Sequence, residues 1–303
     1  MELRQLVYAE AVARHRHFTR AAEELHVAQS ALSHQIRRLE AELGAELFER
    51  TSRSVAVTEV GEAVAARARS ILGDVDGVRQ EVDELRGLVR GRVSVGAMLP
   101  AGELDVPALL VGFSEAFPGI EVDLHEGTAG DMRRHLDQGG VDAAFSLLAG
   151  EPPAGTEVER LAEEQLVAAF PVGAAPDRER VTAAELARGP LVVPRSGSAI
   201  KAALDEFFAA AGETLRISLE SGDPSLLRSL VSTGFGTGVL PASLTRHEGP
   251  PIEVRGLRPS VRLPVTLLWR RGRRQPPAAR AFIEFVRREA GGSARAKRRG
   301  GRA

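Results

Sequence analysis

A chain of 303 residues, 43% hydrophobic and 27% charged, is ordinary globular material for about two domains, neither fibrous nor disordered. Its 40 basic and 41 acidic side chains leave a net charge of −1, so any polyanionic partner must be met by a local face. The absence of Cys excludes disulfides, thiolate catalysis and Cys-built zinc sites. The longest uncharged run, Ser229 to Thr245, is too short and too polar to span a membrane. MELRQLVYAEAVARHRH at the N-terminus has no apolar signal core, so a cytoplasmic location is expected.

In chain order, three textures follow one another. Residues 1–57 hold short helical patterns and no Pro, 58–89 form one uninterrupted helical pattern, and from Arg90 strand-like runs alternate with helices. In the first, Phe18, Ala21, Ala22 and Leu25 form the inner face of a short helix with Thr19 as its expected cap. His26, Val27 and Ala28 break the pattern, and a second helix starts near Gln29. Leu32, Ile36, Leu39 and Leu43 give it one apolar stripe. At 100° per residue, Ser30, Ser33, His34, Arg37 and Arg38 fall on the flanks and back of that stripe, facing solvent. Two short helices across a tight turn make a helix-turn-helix, whose early exposed positions suit base edges and whose arginines suit phosphates. A plain helical hairpin with a solvated polar face stays open at this point, because residues 1–60 carry eight Arg against nine Asp and Glu. Leu47 to Gly61 then reads as two short strands around Arg53 and Ser54, a wing whose tip arginine can enter a minor groove.

From Thr58, a good cap residue, Val64, Ala68, Ile71, Val75, Val78, Val82, Leu85 and Val89 repeat at alternating spacings of four and three. That heptad seam predicts a helix roughly 45 Å long in need of a partner, either a second copy or the chain's own α/β portion. The strand runs that follow are 92–97, 120–125, 141–148, 166–170, 191–194, 215–220, 237–241 and 265–270, and they predict a mostly parallel sheet. Thr128 with Asp131 and Thr182 with Glu185 have capping-box spacing, and Asp223-Pro224 opens another helix. The basic, Gly-rich run GGSARAKRRGGRA at 291–303 is expected to be disordered.

No chemistry of a catalyst is present in the α/β portion. Gly234-Phe235-Gly236-Thr237-Gly238 leads into a strand, no Walker A loop, HExxH or GxSxG occurs, and the three histidines lack ligand spacing. No metal or cofactor is expected. A binding fold remains, with ligands beyond strand ends and beside helix starts. Four such places are Met98-Leu99-Pro100, Gly127-Thr128, Ser146, and Arg195-Ser196-Gly197-Ser198. Each can also be an ordinary cap or turn. Amides at helix starts and Arg195 favour an anion.

Phe18 to Gly61, together with the MELRQL opening, resembles the winged helix-turn-helix of the LysR-type transcriptional regulators, and the later texture follows that family's order. Ala28, Ser30 and His34 stand where Ser, Pro and Arg are usual in the family. Without a hydroxyl at Ala28 the second helix loses a cap worth ~0.5–2 kcal/mol. The resemblance implies DNA contacts at Gln29, Ser30, Ser33, His34 and Arg53, and phosphate contacts at Thr19, Arg37, Arg50 and Thr51. It implies a fold with an N-terminal winged helix-turn-helix (1–57), a dimerising linker helix (58–89), and an α/β effector domain (90–290). That domain is two-lobed and similar to periplasmic binding proteins, with lobe I at about 90–162 and 264–290 and lobe II at about 163–263. The partners implied are promoter duplex DNA with an interrupted palindrome, a small-molecule effector between the lobes, a second copy in a homodimer or homotetramer, and RNA polymerase. A membrane is not among them. Two rival readings are a solute-binding protein and a small-molecule enzyme fused to a DNA-binding head.

Overall fold

The computed structural model describes residues 1–50, 55–85, 90–98, 101–102, 104–272 and 275–300, with side chains to Ala290 and excluding that of Arg50. The chain divides into two compact units. One holds Met1–Gly91 together with Asp137–Gly140 and Gln275–Pro277, and the other holds the rest.

The first unit comprises α1 (Leu3–His15), α2 (Phe18–Glu24), α3 (Gln29–Leu43), β1 (Phe48–Arg50), β2 (Val55–Val57) and α4 (Glu59–Leu85). His26, at φ +52°, makes the turn between α2 and α3. The cap of α2 is His17, whose Nδ1 accepts the Arg20 N–H at 3.4 Å, so the expected cap Thr19 sits inside the first turn. Leu32, Ile36 and Leu39 are wholly buried with Val12, Ala21 and Leu47, while Leu43 stays exposed in the last turn. Phe18 packs edge-on against Phe48 at 5.8 Å. Ala28 caps α3 with no side-chain bond, as expected. Three buried aliphatic side chains, at about 1.5–3 kcal/mol each, outweigh that missing cap. The wing pairs Phe48 with Val57 and Arg50 with Val55, antiparallel.

Thr58 starts α4 as expected, accepting the Gly61 N–H at 2.9 Å and donating to the Glu46 carbonyl at 2.8 Å. Gly61 is required there, because a Cβ would lie 2.1 Å from the Leu47 carbonyl oxygen. The heptad seam divides along its length. Ala68 is buried and Val64, Ile71 and Val75 are half-buried, whereas Val78, Val82 and Leu85 are exposed. Val89 lies outside the described residues. The linker helix groups with the head rather than standing apart, since α1 packs along it.

In the second unit a ten-stranded sheet runs β4-β3-β5-β12-β6-β10-β8-β9. Its strands are β3 (Gly91–Ala97), β4 (Ile120–Glu126), β5 (Ala143–Leu147), β6 (Thr156–Phe170), β8 (Leu191–Pro194), β9 (Ile217–Ser221), β10 (Thr237–Pro241) and β12 (Arg262–Arg270). The short β7 (Arg180–Val181) and β11 (Glu253–Leu257) join it beside β6. Its helices are α5 (Val106–Ala116), α6 (Ala129–Gln138), α7 (Ala183–Leu186), α8 (Ala199–Ala210), α9 (Pro224–Ser232), α10 (Ala242–Arg246) and α11 (Pro277–Gly300). The expected mostly parallel sheet is instead mixed. β3–β5, β8–β9 and β8–β10 are parallel, but β6 and β12 run antiparallel to their neighbours. The reason is connectivity. β6 pairs with β12 through its first half and with β10 and β11 through its second, so it belongs to both lobes.

The first half of β6 is polar, TEVERLAEEQ, and the run at 166–170 marked only the second. Phe113 of α5 stacks against Phe282 and Phe285 of α11 at 5.0 and 5.6 Å over one half-sheet. Leu204 and Phe208 of α8 pack on Leu191 and Val193 over the other. The helix α11 continues to Gly300, where the 291–303 run was expected to be disordered. Ala, Arg and Lys are good helix formers, and extending an existing ladder avoids the cost of nucleation.

Candidate nucleic-acid interface and ligand cleft

On α3 the stripe fixes what faces outward. Gln29, Ser30, His34, Arg37 and Arg38 are exposed in a continuous band. Ser33 is not, and its expected solvent-facing place is corrected by the structure: it is only 7% exposed. It lies about 100° from Leu32, on the flank it shares with Glu40. Two turns further along that flank, the Leu47 and Phe48 N–H groups donate to Glu40 Oε1 at 2.9 and 3.3 Å. Arg38 reaches Glu2 at 3.9 Å, whereas no ion pair of Arg37 occurs among the described residues. Thr19 is exposed on α2. The backbone of Arg50 closes the β1 pairing, and Thr51 and Arg53 lie outside the described residues.

A surface network ties α1 to α2. Arg14 Nη1 and Nη2 donate to Glu24 at 2.9 and 2.6 Å, and His15 bonds the same carboxylate. The Arg14 hydrogen bond, then that of His15, pushes the Glu24 carboxyl down to about 2.

In the second unit, a cleft of about 790 Å³ opens between the strand ends of the two half-sheets. It gathers Met98, Gly127, Thr128, Arg195, Ser196, Gly197 and Ser198, seven of the ten expected residues. Leu99 and Pro100 lie outside the described residues. Ser146 is not brought to the cleft. It is buried at 4% exposure, donates to the Leu147 carbonyl, and lines an adjoining cavity of about 350 Å³.

Three helices start at the cleft, each with its first turn closed by a side chain. The Asp131 carboxylate accepts the Thr128 N–H at 2.9 Å and its hydroxyl at 2.7 Å, which holds it below the usual carboxylate range. Ser198 Oγ accepts the Lys201 N–H at 3.1 Å on α8. Asp223 Oδ1 accepts the Ser225 and Leu226 N–H groups on α9. The Ser196 N–H and hydroxyl donate to Glu220 at 3.0–3.1 Å and keep that carboxyl ionised, with Lys201 and Arg195 adding attraction. Arg195 rests over Gly222, where an added Cβ would meet its guanidinium at 3.7–3.9 Å. It makes no ion pair at contact distance among the described residues. The lobes approach at Gly130, whose added Cβ would come 3.9 Å from the Gly197 carbonyl oxygen.

The sequence reading missed Glu126, Asp131, Arg134, Ser221, Gly222 and Asp223 as cleft lining. The capping motifs at Asp131 and Asp223 were visible in the sequence, but nothing in the pattern said that two separate helix starts share one cleft. No group of residues able to hold a metal ion occurs among those described. No helix among them is long and apolar enough to cross a membrane.

Two family models match the chain, one for each region. Residues 3–62 match the family described as "Bacterial regulatory helix-turn-helix protein, lysR family", and 86–291 match "LysR substrate binding domain". The chain is 35% identical to a RuBisCO operon transcriptional regulator of Allochromatium vinosum, covering 96% of this chain and 97% of that one. It is 31% identical to the DNA-binding transcriptional dual regulator OxyR of Escherichia coli K12, covering 90% of each. Among solved structures it resembles a full-length, singly substituted OxyR from Pseudomonas aeruginosa (TM-score 0.72, 26% identity, 95% of each chain). It also resembles full-length CbnR complexed with its target DNA (TM-score 0.67, 30% identity, 95% of this chain and 99% of that one).

Proposed function

The chain belongs to the LysR family of bacterial transcriptional regulators, and from that premise we propose how its own residues divide the work. The head binds duplex DNA sequence-specifically. Gln29, Ser30 and His34 of α3 read base edges, while Thr19, Arg37, Arg50 and Thr51 grip phosphates and Arg53 enters the minor groove. The exposed band on α3 carries this reading, because it combines short hydrogen-bonding side chains in the first turns with an arginine a turn later. Ser33, buried in the free chain, supports α3 from its packed flank.

A small anionic effector binds in the cleft against Thr128, Ser196, Ser198 and Arg195, with Met98 and Gly127 beside it. Arg195 and the start of α8, whose cap Ser198 is neutral, supply the positive potential, whereas the starts of α6 and α9 already hold the Asp131 and Asp223 carboxylates. With no Cys in the chain, the response is to a non-covalently bound ligand rather than to thiol oxidation. The exposed Val78, Val82 and Leu85 pair α4 with α4 of a second copy, giving a homodimer or a homotetramer on an interrupted palindrome. The protein is cytoplasmic and non-catalytic, and it changes its promoter contacts when the effector enters the cleft, with RNA polymerase as a further partner.

Footprinting on the intergenic DNA beside its own gene, with and without small carboxylates and phosphate esters, tests this. The expected outcome is a protected palindrome whose extent changes with one anion. Equal affinity for that duplex and a scrambled one would overturn it.

A further inference from the structure

Two cations of the effector domain are buried equally deeply and are satisfied very differently. Lys201 and Arg228 are each 8% exposed. Lys201 Nζ donates to the Asp205 carboxylate at 2.6 and 2.9 Å. Arg228, on α9, meets only neutral carbonyls. Its Nε donates to the Pro250 oxygen at 3.0 Å, and its Nη1 donates to the Leu244 and His247 oxygens at 2.9 and 2.6 Å. Gly249 lies close against the guanidinium, where an added Cβ would come within 3.1–3.4 Å of Nε, Cζ and Cδ. Three of the five N–H groups are thereby used, and the two on Nη2 have no acceptor among the described residues. Buried charges are ordinarily paired with an opposite charge, because neutral dipoles repay only part of the cost of leaving water.

Nη2 is not sealed in the interior, and Arg228 lines a cavity of about 630 Å³, within the size range of small-molecule sites. One wall is the chain that enters α5, with Leu104, Asp105 and Pro107. The other is α9 together with the chain after α10, with Leu244, Glu248 and Pro250. Of the described lining only Pro224 is shared with the cleft proposed for an anion, so the two spaces are distinct. Asp105 Oδ1 accepts the Ala108 N–H at 2.9 Å, and its second oxygen has no donor among the described residues. Glu248 is exposed and has no ion pair among them. The lining therefore offers one unmatched guanidinium edge, two carboxylates and aliphatic walls.

We propose that this cavity is a second ligand site, for a small zwitterion of the apolar amino-acid class. The ligand carboxylate takes the Nη2 edge of Arg228 in a charge-assisted bond. Its ammonium lies toward Asp105 and Glu248, and its apolar side chain lies against Leu104, Pro107, Leu244 and Pro250. A dianion such as a phosphate ester is repelled by the two acids, which separates this site from the cleft. A plain clamp, in which Arg228 only fastens residues 244–250 to α9, accounts for the three carbonyl bonds. It does not account for a buried charge whose remaining edge is left open beside two acids.

Isothermal titration calorimetry on the full chain tests this with L-leucine and L-phenylalanine, and with 4-methylpentanoate and isopentylamine, which each keep one of leucine's two charges. At least one amino acid should bind at one site per chain with a Kd below about 1 mM, and the single-charge analogues at least about tenfold more weakly than leucine. Arg228→Gln should weaken the amino acid at least about 30-fold. That variant also releases three carbonyls, so a melting scan accompanies it. Glu248→Gln, at an exposed position, leaves the fold alone; it should weaken leucine about threefold and leave 4-methylpentanoate unchanged. A Kd above about 1 mM for both amino acids overturns the proposal. Equal affinity for leucine and 4-methylpentanoate does the same, as does binding that survives Arg228→Gln in a folded chain. Binding lost with Thr128→Ala or Ser198→Ala but kept with Arg228→Gln would place the amino acid in the cleft, and the second site fails while the cleft reading stands.

Discussion

The α3 helix and the cleft helices both offer their first turns to a negatively charged partner, yet they are held in place by opposite means. No side chain caps α3, and its position comes from Leu32, Ile36 and Leu39 on the far side of the helix. In the cleft, α6, α8 and α9 are closed by Thr128 with Asp131, by Ser198 and by Asp223, which themselves line the ligand space. Recognition and stability are therefore separable in the head and merged in the cleft. Substitutions on the outer band of α3 should change binding and leave folding alone. Substitutions of cleft caps should change both.

The sharpest way to break the head is from its packed side. Gly61→Ala places a methyl 2.1 Å from the Leu47 carbonyl oxygen, and backbone cannot yield as a side-chain tip can. A cost of about 3 kcal/mol is expected from such overpacking. In calorimetry the head transition should fall or vanish while that of the effector domain persists. Next comes Val75→Glu with Val78→Glu, which puts charge on the half-buried and exposed part of the α4 seam. Pairing should be lost in light scattering at micromolar concentration, and DNA affinity should drop about 100-fold as two linked half-sites become one. Folding should be unaffected.

On the outer band the two proposed roles come apart. His34→Ala should cost ~1–3 kcal/mol on the protected duplex and little on a scrambled one. Arg37→Ala should weaken both alike and lower the salt slope by about one. Equal losses on both duplexes for His34→Ala would show that it grips rather than reads. In the cleft, Thr128→Ala and Ser198→Ala each remove a cap worth about 1 kcal/mol. Each should lower the effector-domain melting point and shift the effector dose needed for the footprint change, with DNA affinity in the absence of effector unchanged. A footprint response surviving both at unchanged dose would leave them as caps alone.

This contrast explains how much could be read beforehand. The head is local in sequence: the stripe, the turn, the wing and the Thr58 start all lie within about 45 residues, and each is written in spacing. What spacing did not show was Ser33 going under: it stands about 100° from Leu32, at the margin of the stripe, where periodicity alone does not separate packed from exposed positions. The cleft is non-local. Its helix starts were legible one at a time, as Thr128-x-x-Asp131 or Asp223-Pro224, but their meeting depends on the crossing strands β6 and β12. The polar first half of β6 hid that crossing. Glu157 and Glu159 pair with Arg271 and Arg287 on the sheet surface. The mixed sheet follows from the same strands and was missed for the same reason.

The smallest effect tests whether the head's surface network belongs to its folding or only decorates it. Glu24 accepts two hydrogen bonds from Arg14 and one from His15, and its carboxyl is pushed down to about 2 from an ordinary 4.5. A carboxyl depressed in the folded state contributes stability above its unfolded value and loses it as pH falls between the two. The window is therefore from about 4.5 down to about 2. The pair is exposed, with Arg14 and Glu24 at 47% and 41% side-chain accessibility, so water and salt screen most of the attraction. An exposed pair of this kind is worth about 0.5 kcal/mol. Glu24→Gln should accordingly lower the head transition slightly near neutral pH. The gap from the unmodified chain should close as pH falls through that window and shrink with added salt. A gap that stayed constant over the same range would assign the contribution to packing between α1 and α2 rather than to charge. The outer band of α3 would then be supported by apolar contacts alone.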